Sequence, residues 1–429
     1  MANKITSFGR YFKVQPKSIV APYWLDEIIK STMYENTLTV GNLKSYGDSC
    51  LSGDNNLIQT INFNKLISFD IKTGILKAEV GISLEDIINF IVPRGWFLPV
   101  TPGTKYITLG GAISNDVHGK NHHKFGTFGS FINSFELLTS DGQIRTCSPN
   151  ENSALYNATI GGLGLTGTIL TAEMRCFKIE TSYLDVENIK FKSVKDFYAI
   201  NDDSVEWEST VAWVDIANDC RGIYNRGNFS NRRKYGLILH SEKKINFPLN
   251  YPFINNFTIS IFNQLFYSKQ LTKIQKITAH YEPFYYPLDK LLNWNKVYGN
   301  KGLFQYQFVI PLDARNELND IVKIFKKYNQ KSFLTVLKTF GELKSPGLMS
   351  FPKPGITMAV DFKYNDKLHK CLAEADKIVM AVGGRLYPAK DSRMSAEDFY
   401  TMFPNIEEYK KYIDPNYSSD FSKRMNLTK

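Results

Sequence analysis

Residues 102–128, PGTKYITLGGAISNDVHGKNHHKFGTF, gather the side chains best placed to do chemistry, including His118, His122 and His123, half of the six histidines. Gly103, Gly110, Gly111, Gly119 and Gly126, with Gly129 just beyond, let the backbone take positive φ or approach a ligand closely. Loops this long are uncommon in compact domains unless they are functional, so the stretch reads as a cradle for a large cofactor; an ordinary glycine-rich surface loop is the alternative. A second candidate is Gly41-Asn42-Leu43-Lys44-Ser45-Tyr46-Gly47-Asp48, a turn whose consecutive N–H groups can hold phosphate oxygens. A third, Gly161 to Gly167, satisfies G-x-G-x-x-G literally. A Rossmann site needs a strand before that fingerprint and a helix after it. Here a helix-like stretch, 154–159, precedes and a β-rich one, 168–174, follows, so we read a glycine turn feeding a strand.

The elements that must position these segments follow from periodicity. Residues 24–29 are helical in pattern, and 37–40 form a short β-branched run that leads into Gly41 as a buried strand. Residues 57–61 and 75–80 are further strands. Ser83 is the expected N-cap of a helix with Asp86 three residues on and Ile87, Phe90 and Ile91 on its apolar face. Asp141-Gly142 joins 131–138 to 144–147 as a hairpin. From about 177 to 375 the pattern is strand-like alternation with many aromatics. Within it Gln305, Gln307 and Val309 share one strand face and Phe304, Tyr306, Phe308 and Ile310 the other. The glutamines line a polar pocket or face solvent; alternation alone does not choose. Residues 333–337 and 356–362 are strands with Lys338 and Asp361 at or near their ends. A helix is expected from Ser392, after the polar run 383–391, and the Lys- and Tyr-rich carboxyl end reads as a surface cap.

With 429 residues, 43% of them hydrophobic, the chain can bury a large core and should divide into two or three units. The net charge of +10 suits nucleic acid, an anionic membrane, a phosphorylated substrate or merely a solvated basic surface. Dispersed basic residues without a reading motif disfavour nucleic acid. Five scattered cysteines with no CxxC pair give neither a zinc site nor a disulfide framework, and no metal site is expected. Residues 1–10 carry no apolar leader and no run is long enough to span a membrane, so a cytoplasmic protein is expected.

The spacing of the GNLKSYGD turn, the PGT…LGGAISNDVHGKNHH loop and the GGLGLTG turn resembles the vanillyl-alcohol oxidase type of flavoprotein. HGKNHH followed by FGTFG, QYQFVIP and GGRLYPAKDSR resembles, within it, the oxidases of polyprenyl-phosphoryl ribose. The likeness covers most of the chain and is strongest at 40–170 and 380–415. It implies an α+β fold with a two-part FAD-binding domain (1–176, with 376–429 returning to it) and a substrate-binding domain, 177–375, built on an antiparallel sheet. It implies FAD-dependent oxidation of the 2′-hydroxyl of a polyprenyl-phosphoryl-β-D-ribose to the 2′-keto sugar. That is the first half of an epimerisation to the arabinose form for cell-wall or surface polysaccharide, completed by an NADH-dependent short-chain reductase partner. Oxidation of another sugar or aldonolactone, and a non-catalytic flavin-fold scaffold, are the alternatives. The basic charge is compatible with peripheral contact at the inner face of an anionic membrane.

Carried over by residue, Gly41, Asn42, Leu43, Lys44, Ser45, Tyr46, Gly47, Asp48 and Ser49 match the family's pyrophosphate loop, Gly-x-Gly-Arg-Ser-Tyr-Gly-Asp, with one glycine absent. Lys44 stands where related aldonolactone oxidases have a flavin-linked histidine, which implies non-covalent FAD unless His118 provides a link. Gly103, Thr108, Leu109, Gly110, Gly111, Asn115, Asp116, Val117 and His118 match segments around the adenosine diphosphate and isoalloxazine, and Ile169 and Tyr387 match further flavin contacts. Oxidation of a secondary alcohol needs a hydride acceptor, a base, and donors or a cation where charge develops on the flavin. Lys390 matches that cation, and His118 is a flavin contact or a hydrogen-bonded structural histidine; these two are the catalytic candidates. Gln305, Gln307, Lys338 and Tyr285, with Lys390, match substrate-side positions, and the base is left unassigned. Mycobacterial members of that branch carry a cysteine where this chain has Ala359, so no thiol is needed there if the activity is shared.

Overall fold

Thr37–Val40 buries Leu38 and Val40 against Leu57, and this apolar contact fixes the strand that carries the GNLKSYGD turn. In the computed structural model, which describes residues 4–240, 243–247 and 253–428, the strand closes a parallel sheet in the order Ser18–Val20, Asn56–Gln59, Thr37–Val40. Beside it an antiparallel sheet runs Ile144–Cys147, Ile132–Leu138, Thr168–Arg175, Ile75–Glu79, Leu66–Asp70. The helices Leu84–Ile91 and Leu109–Ser114 cover it, burying Ile87, Ile88, Ile91, Leu109 and Ile113 with Leu76, Leu137, Ala172 and Met174. Ser83 caps the first of these helices by accepting the Asp86 N–H, as expected.

The rest of the chain builds an eight-stranded antiparallel sheet. Its order is Ile274–His280, Tyr183–Phe191, Arg221–Phe229, Ser209–Asp215, Thr335–Phe340, Gly355–Lys363, Leu303–Ile310, Arg385–Leu386. Phe304, Tyr306, Phe308 and Ile310 enter one large core with Leu318, Ile321 and Phe325 of the helix Arg315–Lys327 and Leu372, Ala375 and Val379 of Leu368–Ala381. The fold is therefore α+β. Residues 385–428 serve two of these sheets: Arg385–Leu386 pairs with Leu303–Ile310, and the chain then returns so that Thr37 donates to the Asn416 carbonyl and Ser418 to that of Thr37.

Four local expectations are corrected. The 102–128 stretch is not loop throughout, because Thr108 accepts the Gly111 N–H and starts a short helix that buries Leu109, Ala112 and Ile113; His122–Phe125 forms a second. The strand expected over 57–61 ends at Gln59 and tightens into the 3₁₀ turn Thr60–Asn62. No helix starts at Ser392: the Asp391 carboxylate accepts the N–H groups of Arg393 and Met394, holding a turn, and the helix begins at Ala396 with Ser395 as its cap. The carboxyl end is no surface cap, since Tyr417, Phe421, Ser422 and Met425 are buried. The strand-like interval also carries the helices Val194–Asp202 and Asn256–Lys269.

Candidate active site

Four stretches far apart in sequence meet at the carboxyl end of Thr37–Val40. A Cβ on Gly41 would fall 2.2 Å from Thr108 Oγ1, and one on Gly47 would fall 1.6 Å from the Asp391 carbonyl oxygen, so both glycines allow approaches that no side chain permits. Asn42 Nδ2 donates to the Tyr106 carbonyl at 3.0 Å, and the Tyr46 N–H to that of Ala389 at 3.0 Å. Tyr387 donates from its hydroxyl to the Asn115 carbonyl at 3.0 Å. Arg424 holds Asp48 through two nitrogens at 2.9 and 2.8 Å and Asp391 at 3.0 Å, clamping the first loop to the last. Leu43 stands where the family has its second glycine and keeps the left-handed backbone, φ 50°, without glycine's freedom.

The sheet presents its polar face to these loops. Antiparallel register sets Gln305 opposite Asp361, Gln307 opposite Ala359 and Lys338 opposite Thr357, all on the side away from the large core. The alternation of 304–310 therefore lines a buried crevice and not a solvated surface; Gln307 is 6% exposed and Asp361 1%. Gln305 Nε2 donates to Asp361 Oδ1 at 2.6 Å. Gln307 Nε2 donates to Thr357 Oγ1 at 3.2 Å and to His118 Nε2 at 3.0 Å, which places the proton of the neutral imidazole on Nδ1. Lys390 Nζ sits 3.8 Å from the centre of the Tyr46 ring, and Lys338 Nζ donates to the Gly119 carbonyl at 2.9 Å.

Burial dominates the electrostatics. It lowers Lys338 to about 7, with Lys120 and Lys390 adding repulsion, and lowers Lys120 itself to about 7. Lys390 falls to about 8, again mainly by burial, against which Asp361 acts. Burial raises the Asp361 carboxyl to about 7, opposed by the Gln305 hydrogen bond and by Lys390. His118 is driven well below the usual imidazole range by burial and then by Lys338, His122 and Lys390, so it stays neutral. A carboxyl and amines poised within a unit or so of neutrality are groups that can exchange protons and receive an anion.

Not every residue singled out in the sequence reaches the crevice. The Asp116 carboxylate is committed to the Gly129 N–H and to the hydroxyls of Ser345 and Ser350, where it ties loops together. Tyr285 shares its hydroxyl with Ser209 at 3.0 Å and stacks on Phe97, behind Lys120. Leu109 and Ile169 are core residues whose side chains join the antiparallel-sheet cluster. Asp361 and Lys120 were not singled out as site residues. Asp361 was findable as the one acidic residue in the otherwise apolar run 356–362, and Lys120 from its place between Gly119 and Asn121 in HGKNHH.

The residues present fit a large polar cofactor between the loops and this face. Ser49 Oγ, His118 Nδ1 and Asp361 Oδ2, three of thirteen such atoms among the described residues, are buried without a hydrogen-bond partner. Buried polar atoms are normally satisfied, so these three, on the loops and the sheet face that meet here, are open to a ligand's groups. Comparison with known proteins agrees. Residues 32–148 match the family model described as FAD binding domain. The chain is 36% identical over 408 residues to "Decaprenylphosphoryl-beta-D-ribose oxidase" of Mycolicibacterium smegmatis, covering 90% of this chain and 88% of that one. It is 27% identical over 380 residues to an uncharacterised Streptomyces coelicolor protein, covering 81% of this chain and all of that one. A shorter likeness, 30% over 140 residues, covers 33% of this chain and 26% of the "Delta(24)-sterol reductase" of Rattus norvegicus. The chain is an FAD-dependent oxidoreductase and belongs to the vanillyl-alcohol oxidase type of flavoprotein, in the family of decaprenylphosphoryl-beta-D-ribose oxidase.

Proposed function

We propose that the crevice oxidises the 2′-hydroxyl of a polyprenyl-phosphoryl-β-D-ribose to the 2′-keto sugar. The observation that carries this reading is the meeting of Asp361, Gln305, Gln307, Lys338 and Lys390 with His118 on one buried sheet face, between the loops of the FAD-binding half. FAD would be held without a covalent bond, its pyrophosphate at residues 41–49 and its ring near His118 and Tyr387, and when bound it supplies the acceptor for the hydride from the sugar carbon. Residues 1–176 with 376–429 then form the two-part cofactor domain and 177–375 the substrate domain.

Each side chain has a task in this scheme. Gln305 and Gln307 orient sugar hydroxyls from one strand. The free Asp361 Oδ2 takes the proton of the 2′-hydroxyl, while Gln305 holds the other oxygen. Lys390 would steady the Asp361 carboxylate before the transfer and the negative charge that the flavin gains with the hydride. His118 offers its Nδ1 proton as a fixed donor, because Gln307 occupies the other nitrogen. Lys120 and Lys338, both depressed to about 7, regain their protons when a phosphate enters, so the pocket favours an anionic sugar. That preference argues against a neutral aldonolactone as the substrate. The keto product then needs an NADH-dependent reductase to complete epimerisation. The test is anaerobic mixing of the yellow protein with a polyprenyl-phosphoryl ribose, which is expected to bleach the flavin. Bleaching by a free aldonolactone and not by the phosphoryl ribose would overturn the assignment.

A further inference from the structure

The helix Asn256–Lys269, NFTISIFNQLFYSK, faces the opposite way from an ordinary helix packed on a sheet. Its buried residues are Ile259 and Asn263, and Asn263 Nδ2 donates to Asp215 Oδ1 at 2.9 Å and to the Ser332 carbonyl at 3.0 Å. Phe257, Ile261 and Leu265, four residues apart and hence on one stripe, point to solvent; Phe257 is 73% exposed and Leu265 65%. Phe262 and Phe266 are covered on one side only, by Phe333 and Trp213. Leu271, 94% exposed, and Ile274 and Ile277 on the edge strand Ile274–His280 add to the apolar exposure. Contiguous apolar surface of this kind marks an interaction site.

The charge pattern says what covers it. From Lys243 through Tyr281 the sequence contains no Asp or Glu, yet it holds Lys243, Lys244, Lys269, Lys273 and Lys276. Lys269, Lys273 and Lys276 are exposed. Two more cations flank the helix from other elements: Lys331 donates to Ser260 Oγ at 2.8 Å and Arg221 to Gln264 Oε1 at 2.9 Å. The neighbouring acids are engaged, Glu187 by Lys276 and Arg226 and Asp215 by Arg221. The helix carries one charge of its own, Lys269, so the cations that would meet lipid headgroups come mostly from the elements beside it. Each cation held near an anionic leaflet adds to the attraction. The stripe also connects inward: Phe262 meets Phe333 at 5.5 Å, Phe333 stacks on Tyr298 at 5.8 Å, and Tyr298 clusters with Leu303 and Tyr46 at the crevice.

We propose that Asn256–Lys269 docks the protein onto an anionic lipid leaflet and so brings the crevice close to a lipid-linked substrate. The second half rests on the ribose-lipid reading; the docking does not. The experiment compares the parent with a Phe257→Ser, Leu265→Ser double variant, whose changes lie on the exposed stripe. Sedimentation with vesicles of phosphatidylglycerol and phosphatidylcholine is expected to capture the parent, more weakly with phosphatidylcholine alone. Removing two apolar side chains should weaken capture about tenfold or more. Flavin reduction by a short-chain, micelle-free prenyl-phosphoryl ribose should be equal in both proteins. Failure of the parent to bind anionic vesicles, or equal binding by the variant, overturns the docking. So does a parent dimer that ignores vesicles and becomes monomeric in the variant, which would assign the stripe to a second copy. Vesicle binding as expected with no flavin reduction in either protein would instead overturn the ribose reading and leave the docking in place.

Discussion

The two faces of Leu303–Ile310 run the length of the same strand under opposite rules. On one, Phe304, Tyr306, Phe308 and Ile310 sink into the large core; on the other, Gln307 is buried nearly as deeply beside Thr357 and His118, and the half-buried Gln305 holds Asp361. Burial alone therefore does not separate framework from function here. Which groups accompany the buried residue does: mostly hydrocarbon on the first face, with the Tyr306 hydroxyl satisfied by Asp376, and polar atoms of which some lack a partner on the second. A change on the first face should cost stability and spare chemistry, and a change on the second should do the reverse.

The largest expected effect is on the core face. Phe308→Ala should destabilise by about 3–5 kcal/mol, read by denaturant unfolding, because a fully buried ring leaves a cavity that helices on both sides cannot close. Wild-type-like stability would erase the distinction. Next, Asp361→Asn should keep the fold and FAD while slowing flavin reduction at least a hundredfold, about 2.7 kcal/mol of barrier, in stopped-flow measurements. Lys338→Met gives a pH signature. The lysine's folded value near 7 lies below its ordinary 10.5, so burying it costs nothing above pH 10.5, and the cost grows as pH falls from 10.5 to 7 and is complete below 7. The variant should therefore gain thermal stability over the parent below pH 7, with the gain fading towards pH 10. The smallest effect is expected at Leu43→Gly. Relief of the left-handed leucine, of order 1 kcal/mol, is offset by lost packing on Leu38 and Val40, so a shift in melting temperature of a few degrees is the most that should appear.

Much of this comparison could be read in the chain. Alternation of glutamines with aromatics in 304–310, the Asp-Gly hairpin at 141–142 and the cap at Ser83 are local signals, set by neighbours within a few residues. The partner of Gln305 was not legible, because Asp361 meets it through a cross-strand register 56 residues apart. Nor was the burial of the carboxyl end, which depends on Arg424 reaching Asp48 across the whole chain. Leu43 shows a further limit: its left-handed backbone, φ 50°, is not announced by a leucine. The helix Asn256–Lys269 hid inside an aromatic-rich interval because its apolar residues do not mark its buried side.

The most direct test of the polar face is the pH dependence of the flavin reduction rate constant, measured anaerobically with a polyprenyl-phosphoryl ribose in the parent and in Asp361→Asn. A carboxyl near 7 that must be ionised to take the hydroxyl proton predicts a parental rate that climbs through that pH and levels above it, with a low, flat profile in the variant. Parallel profiles of equal height would contradict the account.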